Sequence, residues 1–201
     1  MTDTNKTSTK LEGMPMKGHI KIELFDEKGN LKEKLEKKNT FMAVGDAHVA
    51  DRLSVTPGEG AMGWMAIGTG STAFTTSGTT LNSALDRNAL ASGYPEQQGG
   101  ASDNDVVYKA TWAAGDGTGA IKEAGIFNSS IAGTMLAAST FSVINKGASD
   151  TLTLNFLSLL EVILVEKFSK LRETLSETIR SETQKWGRST TIMGTSLGMM
   201  G

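Results

Sequence analysis

Val106-Val-Tyr-Lys-Ala-Thr-Trp112 places Val106, Tyr108, Ala110 and Trp112 on one side and Val107, Lys109 and Thr111 on the other. That period of two is the pattern of a half-buried β-strand, whose successive side chains point to opposite faces. Downstream, strand-like segments recur at Ala120 to Asn128, Thr134 to Ile144 and Thr151 to Phe156. Turn-forming stretches separate them: Gly115-Asp-Gly-Thr-Gly119, Ser129 to Gly133, and Lys146-Gly-Ala-Ser-Asp150. Upstream, Ile20, Ile22 and Leu24 alternate with Lys21 and Glu23. Asp26-Glu-Lys-Gly29-Asn30 reads as a hairpin connection, with Gly29 available for positive φ. The return segment Leu31 to Lys38 is charged, with leucines at 31 and 35. It reads as an edge strand, where charge blocks stray pairing, with a short helix as the alternative. Short strands at regular spacing with glycine turns predict a mainly β protein, an antiparallel β-sandwich over residues 18–156.

Within that block, Ala43 to Ser54 changes period. Val44, Ala47, His48 and Leu53 fit a short internal amphipathic helix that ends before Pro57-Gly58. Met62-Gly-Trp-Met-Ala-Ile-Gly-Thr-Gly70 reads as an apolar strand running into a glycine turn. A Ser/Thr-rich loop from Ser71 to Thr80 follows, then a short helical Leu81 to Arg87 and a strand near Asn88 to Tyr94. Pro95 to Asp105 is a polar loop.

The two ends of the chain differ from this block. Residues 1–17 are polar and read as an extended arm. Residues 157–188 carry no proline and no glycine before Gly187, and Leu160, Leu164, Phe168, Leu171, Leu175 and Ile179 step by fours and threes. That spacing predicts a long C-terminal α-helix with one apolar stripe. About 30 helical residues span about 45 Å, more than the β domain needs for its own cover. The stripe is therefore expected to pack on other copies as a coiled coil or bundle, the alternative being one helix folded back across the sheets. Trp186 reads as an interface anchor. Residues 189–201 form an uncharged, Met- and Gly-rich tail whose Met193, Leu197, Met199 and Met200 suit docking on a neighbour.

Composition removes most chemistry. With no cysteine among 201 residues, thiol nucleophiles, zinc-thiolate sites and disulfide scaffolds are excluded. Two histidines, His19 and His48, cannot build a multi-histidine metal site in one chain. A formal charge of −2 gives no electrostatic case for nucleic acid as a partner. No apolar run approaches the roughly 20 residues of a membrane span, and Met1-Thr-Asp-Thr-Asn-Lys6 lacks the apolar core of a secretion signal.

The remaining motifs fail their context tests. Gly194-Thr-Ser196-Leu-Gly198 has the spacing of a serine-hydrolase elbow, but that elbow needs a later His and both histidines precede it. Gly68-Thr-Gly70-Ser-Thr72 lacks the Gly-Lys-Ser/Thr ending of a phosphate loop and reads as a turn after a strand. Asp103-Asn-Asp105 and Asp116-Gly-Thr-Gly119 have no calcium-loop spacing and read as turns. His48 lies near Asp46 and Asp51, which reads as surface chemistry of a short helix. Trp64 and Trp112 read as core. No catalytic, cofactor or metal residue is therefore expected, and the protein reads as a non-enzyme.

Ala66-Ile-Gly-Thr-Gly70, Leu81…Leu85-Asp-Arg87, Tyr108-Lys-Ala-Thr-Trp112 and Ile121-Lys-Glu-Ala-Gly-Ile-Phe127 follow one another in order, with Gly133-Thr-Met-Leu-Ala-Ala-Ser-Thr-Phe141, Lys146 and Ser149-Asp-Thr-Leu-Thr-Leu154 completing the series. This order resembles a family of tailed-bacteriophage virion proteins of the tail-fibre, baseplate or minor structural type, over about residues 18–156. Ala50-Asp-Arg-Leu53 is similar to the family's early helix. The resemblance implies a structural part of a virion, assembled in the host cytoplasm, with itself and other virion proteins as partners. After Asn155 the sequence departs from the family, since a long helix is expected where a strand would finish the domain. Such a helix would trimerise a fibre, anchor a baseplate domain or clamp a capsid decoration. The alternative is a module at a fibre tip that binds a host surface receptor or glycan through Thr69 to Thr80 and Pro95 to Asp105.

Overall fold

The computed structural model describes residues 16–98, 105–160 and 172–184. The chain divides into two units, Met1–Glu161 and Val162–Gly201. The first contains β1 (Met16–Phe25), β2 (Leu31–Lys38), β3 (Thr40–Phe41), α1 (Ala43–Arg52), β4 (Trp64–Gly68), β5 (Ala84–Ala89) and β6 (Glu96–Gln97). After these come β7 (Asp105–Trp112), β8 (Gly119–Phe127), β9 (Met135–Lys146) and β10 (Thr151–Leu160).

The strands form two five-stranded antiparallel sheets, ordered β2-β1-β10-β7-β6 and β3-β9-β8-β4-β5. One core joins them. Ile20, Ile22 and Leu24 of β1, Ala110 and Trp112 of β7, and Leu152, Leu154 and Phe156 of β10 come from the first sheet. Met65 and Ile67 of β4, Ile121, Ala124 and Ile126 of β8, and Leu136 and Ile144 of β9 come from the second. The alternation read in β1 and β7 is thus the inward face of the first sheet. Each fully buried Ile, Leu or Phe there contributes about 1.5–3 kcal/mol of transfer free energy.

β2 is the edge strand the charge pattern predicts, with Lys34 paired to Glu36 at 3.3 Å. Gly29 takes φ +80° in the turn before it, where Asp26 accepts hydrogen bonds from the Lys28 and Asn30 amides.

The second sheet is covered on its far side as well. Met42, Ala66, Leu81, Phe127, Met135 and Ala138 form a smaller apolar cluster, with Val44, Trp64 and Phe74 packed against it. α1 and the long connection from Thr69 to Ser83 supply this cover. Gly45 lets α1 lie close on β9, since a Cβ there would come within 2.5 Å of the Leu136 carbonyl oxygen.

Three expectations are corrected. Leu81 to Arg87 is not a helix: residues from Ala84 pair with β4, while Leu81 is buried in the smaller cluster. Partner strands override the i, i+4 leucines at 81 and 85. The strand expected over Asn88 to Tyr94 ends at Ala89, after which the Leu90 and Ala91 amides bond to the Gly63 and Lys109 carbonyls. Finally, Leu157 does not begin a helix. β10 continues to Leu160, where β1 and β7 flank it and Leu157 pairs with His19 and Val107. The helix described beyond the β unit is α2, residues 172–184, every one of which is exposed. Residues 161–171 and 185–188 of the expected 157–188 helix, the arm before Met16 and the 189–201 tail lie outside the described residues.

Candidate functional site

The Ala66–Gly70, Leu81–Arg87 and Ile121–Phe127 segments meet in the second sheet, around the carboxylate of Glu123. In a regular strand Ile121 and Glu123 would share a face. A register shift in β8 between Ile121 and Glu123 breaks that rule: Ile121, Ala124 and Ile126 join the main core, and Glu123 is turned to the opposite face. A shift of this kind re-aims every side chain beyond it.

Glu123 is fully buried and accepts four hydrogen bonds. Oε1 takes the amides of Gly70 at 3.1 Å and Ser83 at 2.6 Å. Oε2 takes the Asn82 amide and the Asn82 Nδ2, each at 3.0 Å. Asn82 Nδ2 also donates to the Thr72 carbonyl, and Thr69 bonds Ser83 through both backbone and side chain. The two ends of the 69–83 connection are therefore fastened to one side chain. Gly68 and Gly70 make room for it, since a Cβ at either would lie 2.5 or 2.6 Å from Glu123 Oε1. Amides that in a phosphate loop would hold a ligand are here occupied by the protein's own anion.

Arg87 fastens the next turn. Its guanidinium lies 3.8 Å above the Phe127 ring and donates to the carbonyls of Ser129 and Ala132 at 2.8 Å each. Burial pushes its pKa below the usual arginine value.

His48 is buried rather than at the surface, and its partner is neither Asp46 nor Asp51. Its Nδ1 lies 3.0 Å from Glu59 Oε2, which also accepts Asn128 Nδ2 at 2.8 Å. The hydrogen bond to His48, and then one from Thr134, hold the Glu59 carboxyl below its ordinary pKa. Asp51 accepts the Gly58 and Glu59 amides, which lowers it likewise. His48, Glu59 and Asn128 form one hydrogen-bonded group. It ties the loop after α1 to α1 itself and to the end of β8.

The β9–β10 turn has its own lock. Lys146, only 2% exposed, donates to the Ala113 carbonyl at 2.8 Å. Burial pushes its ammonium down, and Asp116, Asp150 and Asp86 push it back up. Asp150 pairs with Lys32 at 2.7 Å and accepts the Gly147 amide at 2.8 Å, with Lys32 the main cause of its lowered pKa. Asp51, Glu59 and Asp150 all sit below the ordinary carboxylate range when folded. Each contributes stability that is present above about pH 4 and lost as pH falls through the folded value. Asp46, raised by burial, works in the opposite direction. Melting Asp150→Asn beside the parent from neutral to acid pH should show a shallower acid-side loss in the variant; identical pH slopes would exclude the Lys32–Asp150 contribution.

Beside this lock lies a shallow cleft of about 520 Å³ lined by Phe25, Asp26, Gly29, Ala114, Ser149 and Thr151 among others. Its Asp26 is committed to its own turn. Among the described residues no group of three His, Cys, Asp or Glu side chains is placed to hold a metal ion, and no helix is long and apolar enough to cross a membrane.

Of the residues predicted for assembly, Leu160 ends strand β10 opposite Met16 instead of lying on a helix. Leu175 and Ile179 stand on α2 at 61% and 60% exposure. Leu164, Phe168, Leu171, Trp186, Met193, Leu197, Met199 and Met200 lie outside the described residues. Trp112 is core and Trp64 packs on the smaller cluster, as expected. Glu123 was missed by the sequence reading; the available signal was a lone acid flanked by Ile121, Ala124 and Ile126, downstream of a Gly-x-Gly turn. No family model, curated protein or solved structure matches the chain.

Proposed function

We propose that the protein is a non-enzymatic structural part of a bacteriophage virion, of the tail-fibre, baseplate or capsid-decoration type, acting through protein–protein assembly. In this reading the two-sheet unit is a β-sandwich, and residues beyond Leu160 join it to further copies or to other virion proteins. The observation that carries the assembly role is the exposure of Leu175 and Ile179, four residues apart on α2, outside the β unit. Large apolar side chains in this spacing on one helix are the usual means of joining helices between chains. The phage assignment is supported by the ordered segments from Ala66 to Leu154. Several of them supply a structural role here: the Glu123 clamp, the Arg87 stack and the Lys146 lock.

The test is deletion of everything after Leu160, the residue at which β10 ends. The shortened chain should remain a soluble β unit and fail to enter particles. Incorporation at the stoichiometry of the full chain would refute the assembly role.

A further inference from the structure

β2 ends the first sheet: β1 lies along one side of it, and among the described residues no strand lies along the other. Every second amide and carbonyl of such an edge points away from its own sheet and can template another strand. The register with β1 sets Glu33, Leu35 and Lys37 opposite Leu24, Ile22 and Ile20, on the face toward the core. Lys34 and Glu36 stand opposite Glu23 and Lys21 on the other face, half-exposed and 3.3 Å from each other. The charges are therefore antisymmetric about Leu35. Lys34 and Glu36 flank it at one residue's distance, Glu33 and Lys37 at two.

We propose that the β2 edges of two copies pair antiparallel about Leu35, joining their first sheets into one. The proposal rests on the assembly reading above and names a second contact within the assembly. Directly opposite residues of an antiparallel pair share a face, so a two-fold centre falls on a residue. With Leu35 at the centre, Lys34 meets the partner's Glu36 and Glu33 meets the partner's Lys37, and both relations repeat by symmetry. A centre on Glu33, Lys34, Glu36 or Lys37 would instead set that charge against itself, which is destabilising. The like pair at the ends, Lys32 opposite the partner's Lys38, is relieved by Asp150, which holds Lys32 at 2.7 Å. The charges that turn away other strands thus fit a second copy of this one. Exposed charge pairs are individually weak and do not offset the freedom lost by two separate chains. The contact therefore forms between copies that residues beyond Leu160 already hold together, where effective concentration is high.

The full chain contains no cysteine, so a single introduced thiol reports on its own neighbours. Full-length Lys34→Cys and Glu36→Cys chains, co-expressed and mildly oxidised, should give a disulfide-linked heterodimer. Its yield should exceed that of either variant alone by about fivefold or more, because directly opposite residues lie closer than diagonal ones. Hydrogen exchange in the full chain supplies the second readout. The outward β2 amides should exchange about fivefold faster or more in Glu33→Lys and in Lys37→Glu, each of which sets like charges opposite. The double variant Glu33→Lys/Lys37→Glu should return to the parent rate. Leu24 and Ile20 are the β1 residues opposite these positions, so the exchanges create no like pair across β1 and β2 within one copy. Lys34→Cys that cross-links with itself as efficiently as with Glu36→Cys would overturn the proposal. So would β2 amides that ignore all three charge changes in a full chain that still associates, and the assembly reading would then stand. A full chain that sediments as a monomer would overturn both.

Discussion

Glu123→Ala should destabilise the β unit by about 3–5 kcal/mol. The carboxylate is fully buried, and its removal leaves three backbone N–H groups and the Asn82 amide without their acceptor. An unsatisfied buried donor costs about 1–3 kcal/mol, and water entering the space recovers part of that. Glu123→Gln keeps the shape but turns an NH2 group toward N–H donors, so it should cost less than alanine, about 2–3 kcal/mol. The loss should be local before it is global. Amides of Gly70, Asn82 and Ser83 should exchange hydrogen faster in the variant, and limited proteolysis should cut first between Thr69 and Ser83. If Glu123→Ala melts with the parent and those amides keep their protection, the clamp does not hold the connection.

The second large effect is at Gly68. A Cβ there meets the Ser83 carbonyl oxygen, Glu123 Oε1 at 2.5 Å and Glu123 Cγ at 2.9 Å. The backbone atom cannot give way without moving the end of β4 relative to the strand start at Ala84, with which Gly68 pairs. Gly68→Val should therefore cost about 2–4 kcal/mol, at the upper end of overpacking losses. The two sites share contacts, so their effects should not add. In a double-mutant cycle, Gly68→Ala should cost at least about 1 kcal/mol less in the Glu123→Ala background than in the parent. Additive losses would show that the glycine is required by its turn alone.

The parts of the fold legible in the sequence are those where alternation and turn chemistry agree. Ile20, Ile22 and Leu24 define β1, Tyr108, Ala110 and Trp112 define β7, and Gly29 marks the hairpin between β1 and β2. Where periodicity and pairing conflict, pairing wins. Leu81 and Leu85 look like one helical face, yet Leu81 enters the smaller cluster and Leu85 is exposed on an edge strand. Leu157 to Leu160 resembles the start of the following apolar stripe, but β1 and β7 extend far enough to take it into the sheet. The Gly68 and Gly70 turn was readable, and its reason was not. That reason sits 53 residues away from Gly70, in a strand whose local register shift leaves no mark in the residue pattern. His48 shows the same limit. The nearby acids Asp46 and Asp51 drew attention, while the partner that touches it is Glu59, beyond the Pro57-Gly58 turn.

Assembly through the residues beyond the β unit is tested most directly by the solution mass of the full chain, measured by sedimentation equilibrium beside the same chain cut after Leu160. The full chain should weigh a multiple of its 21.3 kDa monomer mass, and the shortened chain should remain a folded monomer. A full chain that stays at 21.3 kDa at every concentration, or a shortened chain that associates as tightly as the full one, would contradict that assignment.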